Sequence, residues 1–197
     1  MTIQRGAEWG TPIDRPPQLV VAASDSELGA LVAGGRVAGS IGLSGGDLHR
    51  SLGSPSPSRQ EMRRLPVDAL LVELDGEPVL AVAHVIARRS WWFGPVLAVL
   101  NCDHVGVWNV APRAHPNDGR FDTVEVDAAM PLRSRLQARR RLANGTHVPH
   151  PQISVGAAER RSWAFSRSTP VLIDGVDCGR CTHLSVEISP DHFAICV

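Results

Sequence analysis

The spacing of apolar residues changes character near Leu65. Before that point, residues 19–23 form a short unbroken apolar run, the pattern of a strand buried on both faces. The run ends at Ser24-Asp25-Ser26-Glu27, after which Leu28, Leu31 and Val32 recur at helical spacing. Ser24 or Asp25 suits an N-cap, with acidic residues in the first turn where the helix dipole favours them. Strand, polar turn and short helix is therefore the predicted order. A glycine-rich stretch runs from Gly34 to Gly46, followed by Asp47 to Gly53 and a linker-like Ser54-Pro55-Ser56-Pro57-Ser58. Residues 1–18 are polar and proline-containing and read as an irregular lead-in.

Beyond Leu65 the pattern is that of strands. Residues 67–74 and 79–86 flank Asp75-Gly76-Glu77-Pro78, which predicts a hairpin. Further strands are predicted at 95–101, 106–111 and 121–126, and near 151–155, 161–167, 170–174, 182–188 and 192–197. Residues 131–143, Arg-rich with Leu132, Leu136 and Leu142, predict an amphipathic helix. Many short strands separated by turns suggest a β-sandwich or a similar sheet assembly.

Composition narrows the function classes. With 43% hydrophobic and 20% charged residues, 197 residues suffice for a real core. Net charge is zero, so no global field favours nucleic acid, and none is expected as a partner. The sequence contains no lysine, which excludes a Walker-type or Schiff-base lysine. No apolar run approaches the ~18–20 residues of a membrane span. No secretory signal is visible, so a cytoplasmic location with reduced cysteines is expected.

Several groups could carry chemistry. The segment from Pro112 to Asp122 holds Pro116-Asn117-Asp118-Gly119, a strong turn former whose oxygens could surround a hard cation. Cys178, Cys181 and His183, followed by His192 and Cys196, have spacings that could serve zinc, although buried structural cysteines are the commoner outcome. Trp91-Trp92-Phe93 after Arg88-Arg89 reads as a buried aromatic cluster, a membrane-interface anchor or a stacking patch for nucleic acid. Arg139-Arg140-Arg141 reads as a solvated helix face, or one attractive to anionic lipid.

Four segments, in order, resemble the bacterial diacylglycerol-kinase-like lipid kinases, and a fifth stands in place of one of the family's motifs. Residues 23–27 stand where that family has G-G-D-G-T, and Ser44-Gly45-Gly46-Asp47 is similar to part of G-T-x-N-D. Pro112 to Asp122 looks like P-x-A-x-x-x-D-G-x-(L/F)-D. Gly145 to Pro151 resembles G-x-H-x-x-H-P, and Asp174-Gly175 resembles the start of D-G-E. The resemblance implies an α+β fold: a β-sandwich over residues 65–197, with a truncated Rossmann-like α/β remnant over 1–64. It also implies ATP and Mg²⁺ as cofactors if the chain is active. Asp25 and Asp177 would be the catalytic candidates, and Ser24, Ser26, Ser44, Gly45 and Asp47 the phosphate-side contacts. A cation would sit on Asp118 and the carbonyls of His115 and Arg120.

The departures from the family pattern are chemical. Glu27 places a carboxylate where a phosphate would rest, and Val176 stands where the family has its proton-accepting glutamate, which valine cannot replace. The resemblance also leads to the expectation that the family's first βα units are missing. The expected function is thus a lipid-kinase-like protein that has lost phosphoryl transfer and binds a lipid or a partner. The alternatives are an active ATP- and Mg²⁺-dependent lipid kinase and a zinc-stabilised binding module. Peripheral membrane contact and a homodimer are compatible with the sequence.

Overall fold

The computed structural model describes residues 8–35, 40–58 and 60–197. The start of the lead-in and residues 36–39 of the glycine-rich stretch lie outside them. In chain order the elements are β1 (Thr11–Asp14), β2 (Val20–Ala22), α1 (Asp25–Ala33), β3 (Ile41–Leu43), α2 (Asp47–Ser51), β4 (Glu61–Leu74), β5 (Glu77–Ala81) and β6 (His84–Arg88). Then come β7 (Val96–Leu100), β8 (His104–Val105), β9 (Trp108–Asn109), β10 (Phe121–Val126), α3 (Leu132–Leu142), β11 (Ile153–Ala158), β12 (Arg160–Ile173) and β13 (Val176–Cys196).

One continuous sheet runs β1-β4-β13-β12-β6-β7-β10-β11, all antiparallel, with β5 on β4 and the parallel pair β2 and β3 joined through β13. Strand parity divides the side chains between cores. In β6, β7 and β10 the odd-numbered Val85, Ala87, Leu97, Val99 and Phe121 enter a central core shared with β4, β12 and β13. Their even-numbered neighbours Ile86, Ala98, Leu100 and Val124 enter a second core with Met130 and Ile153. Burial on both faces is why β7 and the centre of β6 read as unbroken apolar runs.

The long strand β4 serves two cores. Leu70, Val72 and Leu74 face the central one, while Leu65, Val67 and Ala69 pack with Ala22, Leu28, Ile41 and Leu48 of the β2-α1-β3-α2 segment. Residues on both sides of position 64 are therefore continuous in one strand and one core.

Several expectations need correction. The lead-in is not wholly irregular, because β1 pairs with β4. The predicted strand at 106–111 is only half of a two-residue-wide hairpin, β8 with β9. The pairs 161–167 with 170–174 and 182–188 with 192–197 merge into β12 and β13, each carrying irregularities in pairing register. Run 79–86 does the reverse and splits into β5 and β6, because its backbone leaves the edge of β4 to join β7 and β12. The zinc arrangement fails for a related reason. Cys181 and Cys196 lie in a single strand, which rises about 3.3 Å per residue, so the candidate ligands are strung out rather than gathered. Among the described residues no three His, Cys, Asp or Glu side chains are placed to share a metal ion.

Candidate functional site

Two loops meet at the mouth of the β2-α1-β3-α2 segment. In the first, Ser24 caps α1 by accepting the Glu27 amide at 3.2 Å, and Glu27 Oε2 turns back to accept the Ala23 amide at 2.8 Å. This is close to a reciprocal S-x-x-E cap, with Glu27 taking the amide of Ala23, one residue before the N-cap. Ser26 Oγ is 3.0 Å from Ser24 Oγ. The second loop, Ser44-Gly45-Gly46, packs directly on the first. Ser44 donates to the Ala22 carbonyl through both its amide and its hydroxyl. A Cβ at Gly45 would overlap the Ala23 carbonyl oxygen, and one at Gly46, where φ is +97°, would overlap the Asp25 carboxylate.

Asp25 lies at the centre. Its two oxygens accept the amides of Asp47 and Leu48 at 2.5 and 3.1 Å, so it occupies the N-terminal end of α2. Asp25 is almost fully buried, and burial pushes its carboxyl up to about 6, with Asp174 and Asp47 adding like charge against the two amide bonds.

Asp174 approaches from the tip of the β12–β13 hairpin. Its carboxylate accepts the amides of Val82, Ala83 and His84 at 2.8, 2.9 and 2.9 Å, which is what draws the chain out of the sheet between β5 and β6. Burial raises its pKa despite those bonds. His84 follows, 4% exposed, with Nδ1 3.3 Å from Asp47 Oδ2. Burial lowers the imidazole pKa, and Asp47 and Asp25 pull against that. Asp47 Oδ1 also accepts the Gly106 amide at 2.7 Å, tying α2 to the β8–β9 hairpin.

The fold thus gathers Asp25, Asp47, Asp174 and His84, with Ser24, Ser26, Ser44 and Gly45 lining the same junction. Asp177 does not join them: it is exposed, and its Oδ1 accepts the Gly179 amide at 2.8 Å. The cation candidates lie elsewhere. Asp118 accepts the Arg120 amide at 3.1 Å, while His115 accepts the Asn117 amide and meets Trp9 edge-on at 4.6 Å. Asp68 is the residue that holds this loop. Fully buried, it accepts the Gly119 and Asp191 amides, both at 2.8 Å, and Asn117 Nδ2 at 3.2 Å.

Several groups that a nucleotide phosphate would use in this pair of loops are already taken. Phosphate binding uses free amides at a helix start and glycines that let it approach. Here the α2 amides are taken by Asp25, the Ala23 amide by Glu27, and the glycines are packed on the opposite loop.

A separate cavity of about 270 Å³ lies between the outer face of β6, β7 and β10 and helix α3. Its walls include Ile86, Ala98, Val124, Met130 and Ile153, and Trp91, Trp92 and Trp108 stand at its edge. Arg135 is buried and fastens α3 across it, donating to the carbonyls of Met130, Trp91, Gly94 and Asp127. His147, 3% exposed, also lines the space; burial lowers its pKa, and a bond to the Val110 backbone pulls against that.

No family model matches this sequence, and no curated protein does. Solved structures do match in shape. A diacylglycerol kinase structure from Bacillus anthracis str. Sterne aligns at a TM-score of 0.60 and 13% identity, over 90% of this chain and 75% of that one. A presumptive diacylglycerol kinase from the same organism aligns at 0.66 and 12% identity, over 90% and 77%. The chain has the fold of the bacterial diacylglycerol-kinase-like proteins.

Within that lipid-kinase fold, the sequence pointed to Asp25 and Asp47 through their motifs. It did not point to His84, Asp68 or Arg135, each of which sits in a strand or helix with no local signal of its own. Asp174 had a signal, since Asp-Gly between two apolar runs marks a tight turn, but a turn aspartate is ordinarily solvent-facing.

Proposed function

We propose that this chain binds the acyl portion of a lipid in the cavity beneath α3 and does not itself transfer a phosphoryl group. The observation that carries the reading is the cavity. Its volume of about 270 Å³ exceeds the ~150 Å³ of an apolar cavity that takes up benzene. Apolar walls with a few placed polar groups are what a lipid tail with a polar end requires. His147 supplies such a group, since the ring nitrogen not turned to the Val110 backbone gains by meeting a hydroxyl or carbonyl. The packed phosphate-side loops and the outward Asp177 support the second half of the proposal.

The test is titration with a fluorescent long-chain fatty acid or diacylglycerol analogue below its aggregation threshold. Saturable binding is expected, and Ala98→Phe, which fills the cavity, abolishes it. Binding unaffected by Ala98→Phe refutes the site.

One observation favours the alternative of an active kinase: Asp25, Asp47 and Asp174 converge around His84, and Asp25 has a near-neutral pKa suited to proton transfer. On that reading, ATP with Mg²⁺ would phosphorylate a lipid hydroxyl. Radiolabelled phosphoryl transfer to diacylglycerol that disappears in Asp25→Asn would establish it and overturn the non-catalytic proposal.

A further inference from the structure

Around the rim of the cavity three elements place apolar side chains in water beside a concentration of positive charge. Phe93, in the β6–β7 loop, is 69% exposed, and Val107, at the tip of the β8–β9 hairpin, is 68% exposed. Single exposed apolar residues are ordinary, but these two flank a connected group. Trp91 and Trp108 meet edge-on at 6.2 Å, and the Arg139 guanidinium lies over Trp92 and Trp108 at 5.2 and 5.7 Å. Loop, hairpin and α3 therefore share one face.

The charge on α3 is one-sided, with exposed Asp127 the acid nearest its first turn. Helix α3 reads Leu-Arg-Ser-Arg-Leu-Gln-Ala-Arg-Arg-Arg-Leu, with no acidic residue. Arg133, Arg140 and Arg141 are exposed, and Arg89 is exposed beside the aromatic loop. The whole chain is neutral, so this face holds a local surplus of cations. Leu132 and Leu136, 44% and 41% exposed, lie one helical step from the inward residues Arg135 and Ala138.

We infer that this face docks on an anionic lipid bilayer, with Phe93 and Val107 inserted at the headgroup boundary and the α3 arginines against the headgroups. Charge complementarity selects the occupant: aromatic and apolar tips among arginines match the layered polarity of a membrane surface, and no acid on α3 opposes it. A nucleic acid would use the arginines but leave Phe93 and Val107 unemployed. The inference goes beyond ligand binding in the cavity, because it stands on exposed residues whether or not the cavity is filled.

The test is co-sedimentation with vesicles of equimolar phosphatidylcholine and phosphatidylglycerol, against phosphatidylcholine alone. Binding is expected only to the mixed vesicles, and it should weaken sharply as salt rises from 0.1 M to 1 M, where the screening length falls from ~10 to ~3 Å. Arg133→Gln with Arg140→Gln should lower the partition coefficient about 30-fold. Phe93→Ser with Val107→Ser should lower it about tenfold without changing the salt dependence. Ala98→Phe should bind vesicles like the parent, so the cavity reading and the docking reading fail separately. Equal binding to both vesicle types, unchanged binding by either double variant, or retention of a DNA duplex without vesicle binding overturns the inference.

Discussion

Replacing Asp25 by Asn tests the central junction through its pH dependence. The Asp25 carboxyl is displaced from an ordinary 3.8 to about 6 by burial, with Asp174 and Asp47 adding to the displacement. Its folded form holds a proton that the unfolded form has released, so its contribution to stability is complete below 3.8 and is lost as pH rises through about 6. At ~1.4 kcal/mol per pH unit this amounts to about 3 kcal/mol. The carboxamide of the Asp25→Asn variant would carry no charge and so no such dependence, but it offers one oxygen where the carboxylate offers two. One of the Asp47 and Leu48 amides then loses its partner, at about 1–2 kcal/mol. The variant should be less stable than the parent near pH 4 and equal or more stable at pH 7. The difference between them should move by about 3 kcal/mol across that window. Urea unfolding followed by tryptophan fluorescence reads this directly. Asp122 also has a raised pKa but is common to both proteins and cancels in the difference, whereas Asp174 and His84 sense the Asp25 charge and shift with its removal. Parallel stability curves, with a constant offset between pH 4 and 7, would refute the reasoning.

Three further outcomes follow from the packing. Gly45→Ala forces a methyl into the Ala23 carbonyl and should cost about 1–3 kcal/mol or part the two loops, read as a lower urea midpoint or as new protease sensitivity at residues 23–46. Asp68→Ala strands the Gly119 and Asp191 amides and Asn117 in a fully buried position, and should destabilise by roughly 3 kcal/mol or more, while Asp118→Ala, half-buried and bonded only within its turn, should cost under about 1. Arg135→Met leaves the Met130, Trp91, Gly94 and Asp127 carbonyls without their shared donor; the fold should survive at reduced stability, but titration with the fluorescent acyl probe should show at least tenfold weaker binding.

Local pattern settled what local chemistry controls. The cap at Ser24, the Asp75-Gly76 hairpin, β10 and α3 were legible because capping hydroxyls, positive-φ turns and the two side-chain periods act over a few residues. The order of four short segments also sufficed to suggest the lipid-kinase fold, which the shape comparison bears out at 12–13% identity. What the sequence could not contain was the pairing of distant charges. Glu27 read as an obstacle to phosphate and proves to hold the Ala23 amide just before its own helix. Asp177 read as a substitute base and stays in water, while Asp174, read as the start of a D-G-E segment, reaches three amides about ninety residues earlier in the chain. The tertiary structure decided these because burial sets both the cost of a carboxylate and the amides available to it. Burial, in turn, is determined by which strands become neighbours, not by which residues are adjacent.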